Sequence, residues 1–96
     1  MSMVNSYETV MVFSVKNGGE ATTALVEKFK ELIAKNGNIE NVDEWGKRRL
    51  AYQINYETEG YYVVVNYTAA PEFVAELNRV FNITDGVLRY LTVNKD

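Results

Sequence analysis

The sequence contains no cysteine and no histidine, and these two absences remove most of the familiar enzyme chemistry. Without cysteine there is no disulfide framework and no thiolate nucleophile. Without histidine the chain lacks the usual general base and the commonest metal ligand. Two close acidic pairs, Asp43 with Glu44 and Glu57 with Glu59, are more typical of solvated turns and sheet edges than of a general acid and base. We therefore expect no enzyme activity, no metal site, no cofactor and no small-molecule substrate.

Long apolar runs are missing as well. No stretch approaches the roughly 20 apolar residues that a membrane-spanning helix needs. The beginning of the sequence, "MSMVNSYETV", lacks the basic segment and the apolar segment of a secretory signal. These two observations predict a cytoplasmic protein without a membrane partner.

An excess of positive charge is also absent. The sequence has ten lysines and arginines and 13 aspartates and glutamates, which gives a net charge of −3 and an isoelectric point of about 5.0. This balance argues against a protein that coats nucleic acid by bulk charge, although a local basic patch remains compatible with it. The length of 96 residues suits a single domain over residues 1–96, with little room for a deep active-site cleft.

The hydrophobic pattern predicts one strand-and-helix plan that occurs twice. Strands are expected at 7–15, 38–55, 61–68 and 87–93, and helices at 21–36 and from Pro71 to a break within 82–86. The order β-α-β-β-α-β is that of the ferredoxin-like arrangement, an α+β fold. Right-handed crossovers then produce a four-stranded antiparallel sheet with both helices on one face.

Particular residues support these elements. Gly37 stands where the glycine that caps a helix C-terminus belongs. Trp45 and Gly46 interrupt the second strand, which indicates a β-bulge. Apolar residues at helical spacing form one stripe on each predicted helix: Leu25, Phe29, Leu32 and Ile33 on the first, and Val74, Leu77 and Phe81 on the second.

The sheet face without helices is the first candidate for an interaction surface. The third strand is apolar or aromatic on both of its faces, with Tyr61, Val63, Val65 and Tyr67 in one set and Tyr62 and Val64 in the other. An exposed apolar patch of that kind normally marks a site where a partner binds. The alternative is that tyrosine and valine simply favour strands.

The segment "EWGKRRLAYQI", residues 44–54, carries the second candidate. Lys47, Arg48 and Arg49 are consecutive, so on a strand they cannot share one face. Such a cluster can grip phosphates, and the neighbouring Trp45 and Tyr52 can stack on bases or pack on a partner. Cations on an edge strand also discourage unwanted pairing with other sheets. The spacing alone leaves both interpretations open.

The RNA recognition motif shares this topology, but its signature on the third strand is missing. In "EGYYVVVN" Glu59 replaces the required cation and Val63 replaces an aromatic residue. Reading of single-stranded RNA by stacking on this strand is therefore not supported.

The stretch "GKRRLAYQIN", residues 46–55, resembles the signature of one family, that of the sixth protein of the bacterial small ribosomal subunit. Four further matches occur in family order: "YE" at 7–8, "EGYYV" at 59–63, "APE" at 70–72 and "VLRYLTV" at 87–93. The resemblance implies a ferredoxin-like fold and a non-enzymatic role. Such proteins join the central domain of small-subunit ribosomal RNA as a heterodimer with the eighteenth small-subunit protein and help that domain assemble. The partner would then supply much of the positive charge.

The resemblance matches Arg48, Arg49, Tyr52, Arg89 and Tyr7 to positions of the family pattern. We predict that Arg48, Arg49, Arg89 and Tyr7 bind RNA, and we add Lys47 because it adjoins the two arginines. The residues predicted to bind the partner protein are Trp45, Tyr52 and Tyr90.

This sequence departs from the family pattern at three places. Asn5 and Ser6 stand where arginines are usual, Gln53 stands where proline is usual, and "ETEG" replaces a tip that is often basic. These departures favour Arg48, Arg49 and Arg89 over the N-terminal and hairpin-tip contacts.

Two other functions compete with this one. A ferredoxin-like protein–protein or regulatory module could pair through its sheet without binding RNA. A small enzyme of this fold that handles acyl or phosphate groups would need an arginine in its anion-binding loop, and "KNGGE" at 16–20 contains none.

Overall fold

The chain folds in the predicted order β-α-β-β-α-β. The computed structural model describes residues 4–16, 18–54 and 57–95, with the backbone alone at 51–54 and 57. Its elements are β1 (Asn5–Ser14), α1 (Gly19–Asn36), β2 (Gly37–Ile54), β3 (Glu57–Ala69), α2 (Pro71–Ile83) and β4 (Val87–Asn94). The sequence predicts a turn over "YETEG", 56–60, but Glu57–Gly60 belong to β3, which pairs with β2 over this stretch. Residues 55–56 lie outside the described part of the chain.

The four strands form one sheet in the order β2-β3-β1-β4. All three neighbouring pairs are antiparallel, which confirms the predicted ferredoxin-like sheet. β1 and β3 occupy the centre, and one face of each contributes to the core beneath the helices. β2 and β4 are the edge strands, and the segment "GKRRL" lies on the β2 edge.

The core lies between one sheet face and both helices. α1 contributes Val26, Phe29 and Ile33, α2 contributes Phe73, Leu77 and Phe81, and the central strands contribute Tyr7, Met11, Phe13, Val63, Val65 and Tyr67. The predicted stripe on α1 is rotated slightly, because Leu25 and Leu32 are only half-buried while Thr22 and Val26 are buried. Burial of such side chains supplies most of the favourable free energy of folding.

Four aromatic rings stack in series through this core. The centroid of Phe29 lies 5.8 Å from that of Phe13 and 4.4 Å from that of Phe81. The ring of Phe81 in turn lies 4.6 Å from that of Tyr90, with 14° between the planes. The stack therefore ties β1, α1, α2 and β4 together, with Phe29 at its centre.

Gly37 occupies the predicted C-cap position of α1, but for a different reason. Its φ of −162° and ψ of −162° are extended, not left-handed. A Cβ atom at this position would lie 2.3 Å from the carbonyl oxygen of Thr68. The glycine is therefore needed for the close approach of β2 to β3 where the helix passes directly into the strand.

A hydroxyl network lies within the sheet beneath the helices. The Thr9 hydroxyl is 2.9 Å from the Tyr67 hydroxyl and 2.9 Å from the Thr92 hydroxyl. Thr9 and Tyr67 have no exposed surface. Their hydroxyl groups therefore need partners inside the protein, and these bonds provide them. Burial raises the pKa of Tyr67 above its ordinary value of 10.0, and the bonds to Thr9 and Thr92 offset part of that rise.

The raised pKa of Tyr67 predicts a loss of stability in alkali. The folded state holds the phenol proton more tightly than the unfolded chain, whose tyrosine has the ordinary pKa of 10.0. This contribution to the free energy of unfolding is complete below 10.0 and is lost as pH rises through the folded-state pKa. Urea unfolding at a series of alkaline pH values measures the loss. Tyr67→Phe is expected to be less stable near neutrality but to lose less in alkali; an unchanged alkaline loss would contradict the assignment.

Candidate functional site

β2 contains a bulge where Trp45 and Gly46 were predicted to interrupt the strand. Glu44 lies opposite Val63 and Gly46 lies opposite Tyr62, so Trp45 is an extra residue. The φ of Gly46 is +84°, in the left-handed region that favours glycine. The predicted bulge is therefore confirmed, and an extra residue with a glycine of positive φ is typical of such bulges.

The bulge changes which side chains share a face. In a regular strand Trp45 and Arg48 would point to opposite faces, since they are three residues apart. Because Trp45 is extra, its ring lies beside Tyr62 with 6.1 Å between centroids and 11° between planes. Arg48 lies opposite Gly60, two residues from Tyr62 along β3, and so projects from the same face. Both side chains thus lie on the sheet face without helices, which we call the open face.

Gly46→Ala is expected to lower the free energy of unfolding by about 1–2 kcal/mol, because alanine tolerates this φ poorly. A Cβ at Gly46 meets no atom within 4 Å, so the cost arises from the backbone alone. Gly19→Ala is a matched control, since that site also has open space but lies in the first turn of α1. Urea unfolding of both variants measures the difference; equal stability would show that the strand adapts without strain.

Four side chains form a polar and aromatic cluster on the open face. The indole Nε1 of Trp45 donates to Asp43 Oδ2 at 2.9 Å. The guanidinium carbon of Arg48 lies 5.4 Å from the centroid of the Trp45 ring, within range of a cation–π interaction. We call Asp43, Trp45, Arg48 and Tyr62 the arginine–tryptophan cluster.

A row of side chains runs from this cluster across the sheet to the opposite edge. Tyr62 pairs with Val12, and Val12 pairs with Arg89 on β4. The row crosses three strand spacings, about 14 Å in all. Arg48 and Arg89 therefore stand at opposite edges of the same face.

The centre of the open face is apolar. Val12 and Val64 are only 4% and 6% exposed although no helix covers them, because their neighbours on the sheet enclose them. Towards the β4 edge, Leu91 is 61% and Val93 is 43% exposed. Together with Val10, these residues form an apolar patch, which we call the apolar strip. Arg89 precedes Leu91 by two residues on β4, and Arg48 lies on β2 at the other edge of the face.

Lys47 and Arg49 lie on the other side of β2. Lys47 pairs with Tyr61 and Arg49 pairs with Glu59, while Arg48 between them pairs with Gly60. The expectation that the three cations cannot share one face is thereby confirmed. Lys47 lines a recess with Gly19 and Thr23 at the beginning of α1.

A second polar network holds Glu44 on the helix side of the sheet. The Tyr61 hydroxyl donates to Glu44 Oε1 at 2.9 Å, and Lys30 Nζ lies 3.6 Å from Glu44 Oε2. The hydrogen bond to Glu44 raises the pKa of Tyr61 above 10.0, with smaller contributions from desolvation and the carboxylate charge. The negative charge of Glu44 is thus kept away from the face that presents Arg48.

The amino-acid sequence matches the family model described as ribosomal protein S6 over residues 6–94. The chain belongs to the ribosomal protein S6 family. The small ribosomal subunit protein bS6 of Clostridium novyi (strain NT) is 51% identical to it over 94 residues, covering 97% of this chain and 99% of that protein. The bS6 of Caldanaerobacter subterraneus subsp. tengcongensis is 50% identical, with the same coverage of each chain.

The fold agrees with a solved structure named for the same family. The crystal structure of 30S ribosomal protein S6 from Thermotoga maritima matches with a TM-score of 0.90 and 26% identity. The match covers 97% of this chain and 89% of that one. The strand order and helix placement of this chain are therefore those of an S6 protein.

Membership of the S6 family confirms the prediction of a structural, non-enzymatic component of the small ribosomal subunit. It also places the chain on the cytoplasmic ribosome. Neither described helix has the length and apolar character needed to cross a membrane. Within residues 4–16, 18–54 and 57–95, no group of three or more acidic side chains is arranged to hold a metal ion.

Two aromatic residues predicted to bind lie elsewhere in this S6 chain. Tyr7 is 5% exposed in the core, and its ring centroid lies 5.8 Å from that of Tyr67. With so little accessible surface the Tyr7 ring lies among the core side chains, and its contact with RNA stays a prediction. Tyr90 stacks on Phe81 on the helix side, and its hydroxyl donates to Asn82 Oδ1 at 2.8 Å. The side chain of Tyr52 lies outside the described residues.

The sequence analysis separated Tyr62 from the core face of β3 but did not join it to the residues around Arg48, and it missed Asp43. A signal for Tyr62 existed, because it alternates with the core residues Tyr61 and Val63 and therefore faces away from the helices. No comparable signal pointed to Asp43, since its bond to Trp45 depends on the local geometry of the bulge.

Proposed function

We propose that this chain binds the central domain of small-subunit ribosomal RNA together with the eighteenth small-subunit protein, and that the pair aids assembly of that domain. The observation that carries the proposal is the open face, which presents an apolar strip together with Arg48 on one edge strand and Arg89 on the other. Membership of the S6 family supplies the ribosomal setting. An apolar strip suits a protein partner, and arginines on the same face suit phosphates.

The RNA contacts are assigned first to Arg48 and Arg89. A guanidinium group can donate two parallel hydrogen bonds to one phosphate, which fixes the position of the protein on the RNA. β2 is an edge strand, so a phosphate backbone along that edge can also reach Lys47 and Arg49 from the helix side. We expect this outer contact of Lys47 and Arg49 to contribute much less to binding than the two arginines of the open face.

The protein partner is assigned to the apolar strip. Val10, Leu91 and Val93 offer it exposed or half-buried apolar surface, and Trp45 lies at the border with 45% of its surface exposed. Tyr90 is not available on this face because it stacks on Phe81. Covering this strip removes apolar area from water and so favours association.

Binding to the ribosomal RNA central domain tests the proposal. The net charge of −3 limits the attraction of the lone chain to RNA, so we expect weak binding alone and much tighter binding with the partner. Gel-shift titrations would use this protein, the eighteenth small-subunit protein, and both together, at several salt concentrations. Equally tight binding by the lone chain would contradict the proposed pair.

The competing module without RNA binding predicts that replacing both Arg48 and Arg49 with alanine leaves function intact. The family membership argues against it. Failure of that double variant to enter small subunits would eliminate the module.

A further inference from the structure

Arg48 is an exposed arginine on an edge strand, and such a side chain normally samples many rotamers. Binding a phosphate would then require it to give up that freedom. In the structure the guanidinium carbon lies over one ring, 5.4 Å from the centroid of Trp45. A Trp45 ring in a fixed position would restrict the Arg48 rotamers before binding, so Arg48 would lose less conformational entropy when it binds a phosphate.

The Trp45 ring is itself fixed from two directions. Its Nε1 donates to Asp43 at 2.9 Å, and Tyr62 stacks beside it with nearly parallel planes. Asp43 pairs with Val64, so it reaches Trp45 from the same face two residues along the strand. The bulge at Gly46 brings these side chains together.

We propose that Asp43 and Trp45 are positioning residues that hold the Arg48 guanidinium on the open face, ready to bind an RNA phosphate. This inference rests on the proposed function, because it assumes that Arg48 contacts RNA. The carboxylate of Asp43 orients the indole, the indole orients the guanidinium, and only the guanidinium touches RNA. A carboxylate alone would repel phosphate. Here Asp43 instead favours RNA binding, because it orients the indole that orients Arg48.

The free chain offers the first test, which needs no RNA. Trp45 is the only tryptophan in the sequence, so tryptophan fluorescence reports on this cluster alone. Arg48→Ala is expected to shift the emission and to raise quenching by acrylamide, an uncharged quencher, because the guanidinium no longer covers the ring. Arg49→Ala removes the same charge from the other face and is expected to leave both signals unchanged. Equal responses of the two variants would show that Arg48 does not rest on Trp45 in solution.

A double-mutant cycle offers the second test, with the RNA central domain and the partner protein present. Trp45→Leu is expected to weaken binding about threefold more when Arg48 is present than when it is already alanine, as the loss of an exposed cation–π contact would. A contact of Trp45 with the partner protein would weaken binding equally in both backgrounds and so cancels from this comparison. If instead the two losses simply multiply, Trp45 acts independently of Arg48 and the positioning role is wrong.

Two substitutions at Asp43 separate orientation from charge. Asp43→Ala and Asp43→Asn both remove one negative charge, but asparagine keeps an oxygen that can accept from Trp45 Nε1. We expect the asparagine variant to bind RNA about threefold more tightly than the alanine variant, by restored orientation. Equal affinity of the two would overturn the role of Asp43.

These outcomes are distinct from failure of the proposed function. If the unaltered chain and its partner do not bind the central domain, the proposed function itself fails, and the fluorescence comparison still decides whether Arg48 rests on Trp45. If they bind and the effects of the Trp45 and Arg48 substitutions are independent, the proposed function stands and only the positioning role is wrong.

Discussion

Phe29→Ala is expected to lower the free energy of unfolding by about 3–5 kcal/mol, the largest stability effect that we predict for a single residue. Phe29 has no exposed surface and stacks between Phe13 and Phe81. Its removal would lose buried apolar area and leave a cavity between the sheet and both helices. The ring contacts add to this loss, since aromatic pairs contribute about 0.5–1.5 kcal/mol beyond their area.

A loss of this size matters for a chain of 96 residues. Small domains have about 5–15 kcal/mol of stability in total, so the variant would lose a large part of it. Urea unfolding followed by circular dichroism measures the effect. Phe29→Leu is expected to lose less because it fills more of the space, and Glu31→Ala on the exposed side of α1 is expected to change little. A loss under about 1 kcal/mol for Phe29→Ala would contradict the central role of the ring stack.

The order of elements and the sheet could be predicted from periodicity, because helices and strands place apolar residues at different spacings. The stripe with Phe29 and Ile33 located the buried side of α1 correctly. The stacking of Phe29 with Phe13 and Phe81 could not be predicted in the same way. It joins residues that are far apart in the sequence, and their contact depends on how the helices cross the sheet.

In the candidate site, too, local periodicity predicted some features and left the side-chain contacts unpredicted. Alternation along β2 correctly separated Arg48 from Lys47 and Arg49. The bulge at Gly46 then reversed the alternation for Trp45 and brought its ring to Arg48. The pattern indicated a bulge but not which side chains it would bring together, because that depends on where the extra residue falls in the register.

Tyr7 shows why a family resemblance does not by itself assign a surface role. The residue matches the family position, yet on β1 it has the same parity as Met11 and Phe13. All three point towards the helices and are buried. Parity along a central strand of known register would have placed Tyr7 in the core, but the register becomes known only when the strands are paired.

Replacing both Arg48 and Arg89 with alanine is expected to weaken binding to the RNA central domain, measured with the partner protein, by about 100-fold or more. Each arginine is assigned one charge-assisted phosphate contact, and each such contact contributes about 1.5–3 kcal/mol, or roughly tenfold or more in affinity. The logarithm of affinity should also depend less steeply on the logarithm of salt concentration, by about one unit for each lost contact.

The matched control is the double variant of Lys47 and Arg49 to alanine. It removes the same two charges from the same protein, and both residues lie on the helix side of β2. Bulk electrostatics would make the two double variants lose equal affinity, whereas contact through the open face would make the first lose much more. Because Arg48 and Arg49 are neighbours in sequence but project from opposite faces, the comparison identifies the face that meets the RNA. A larger loss in the control would place the RNA along the outer side of β2 and leave the open face to the protein partner alone.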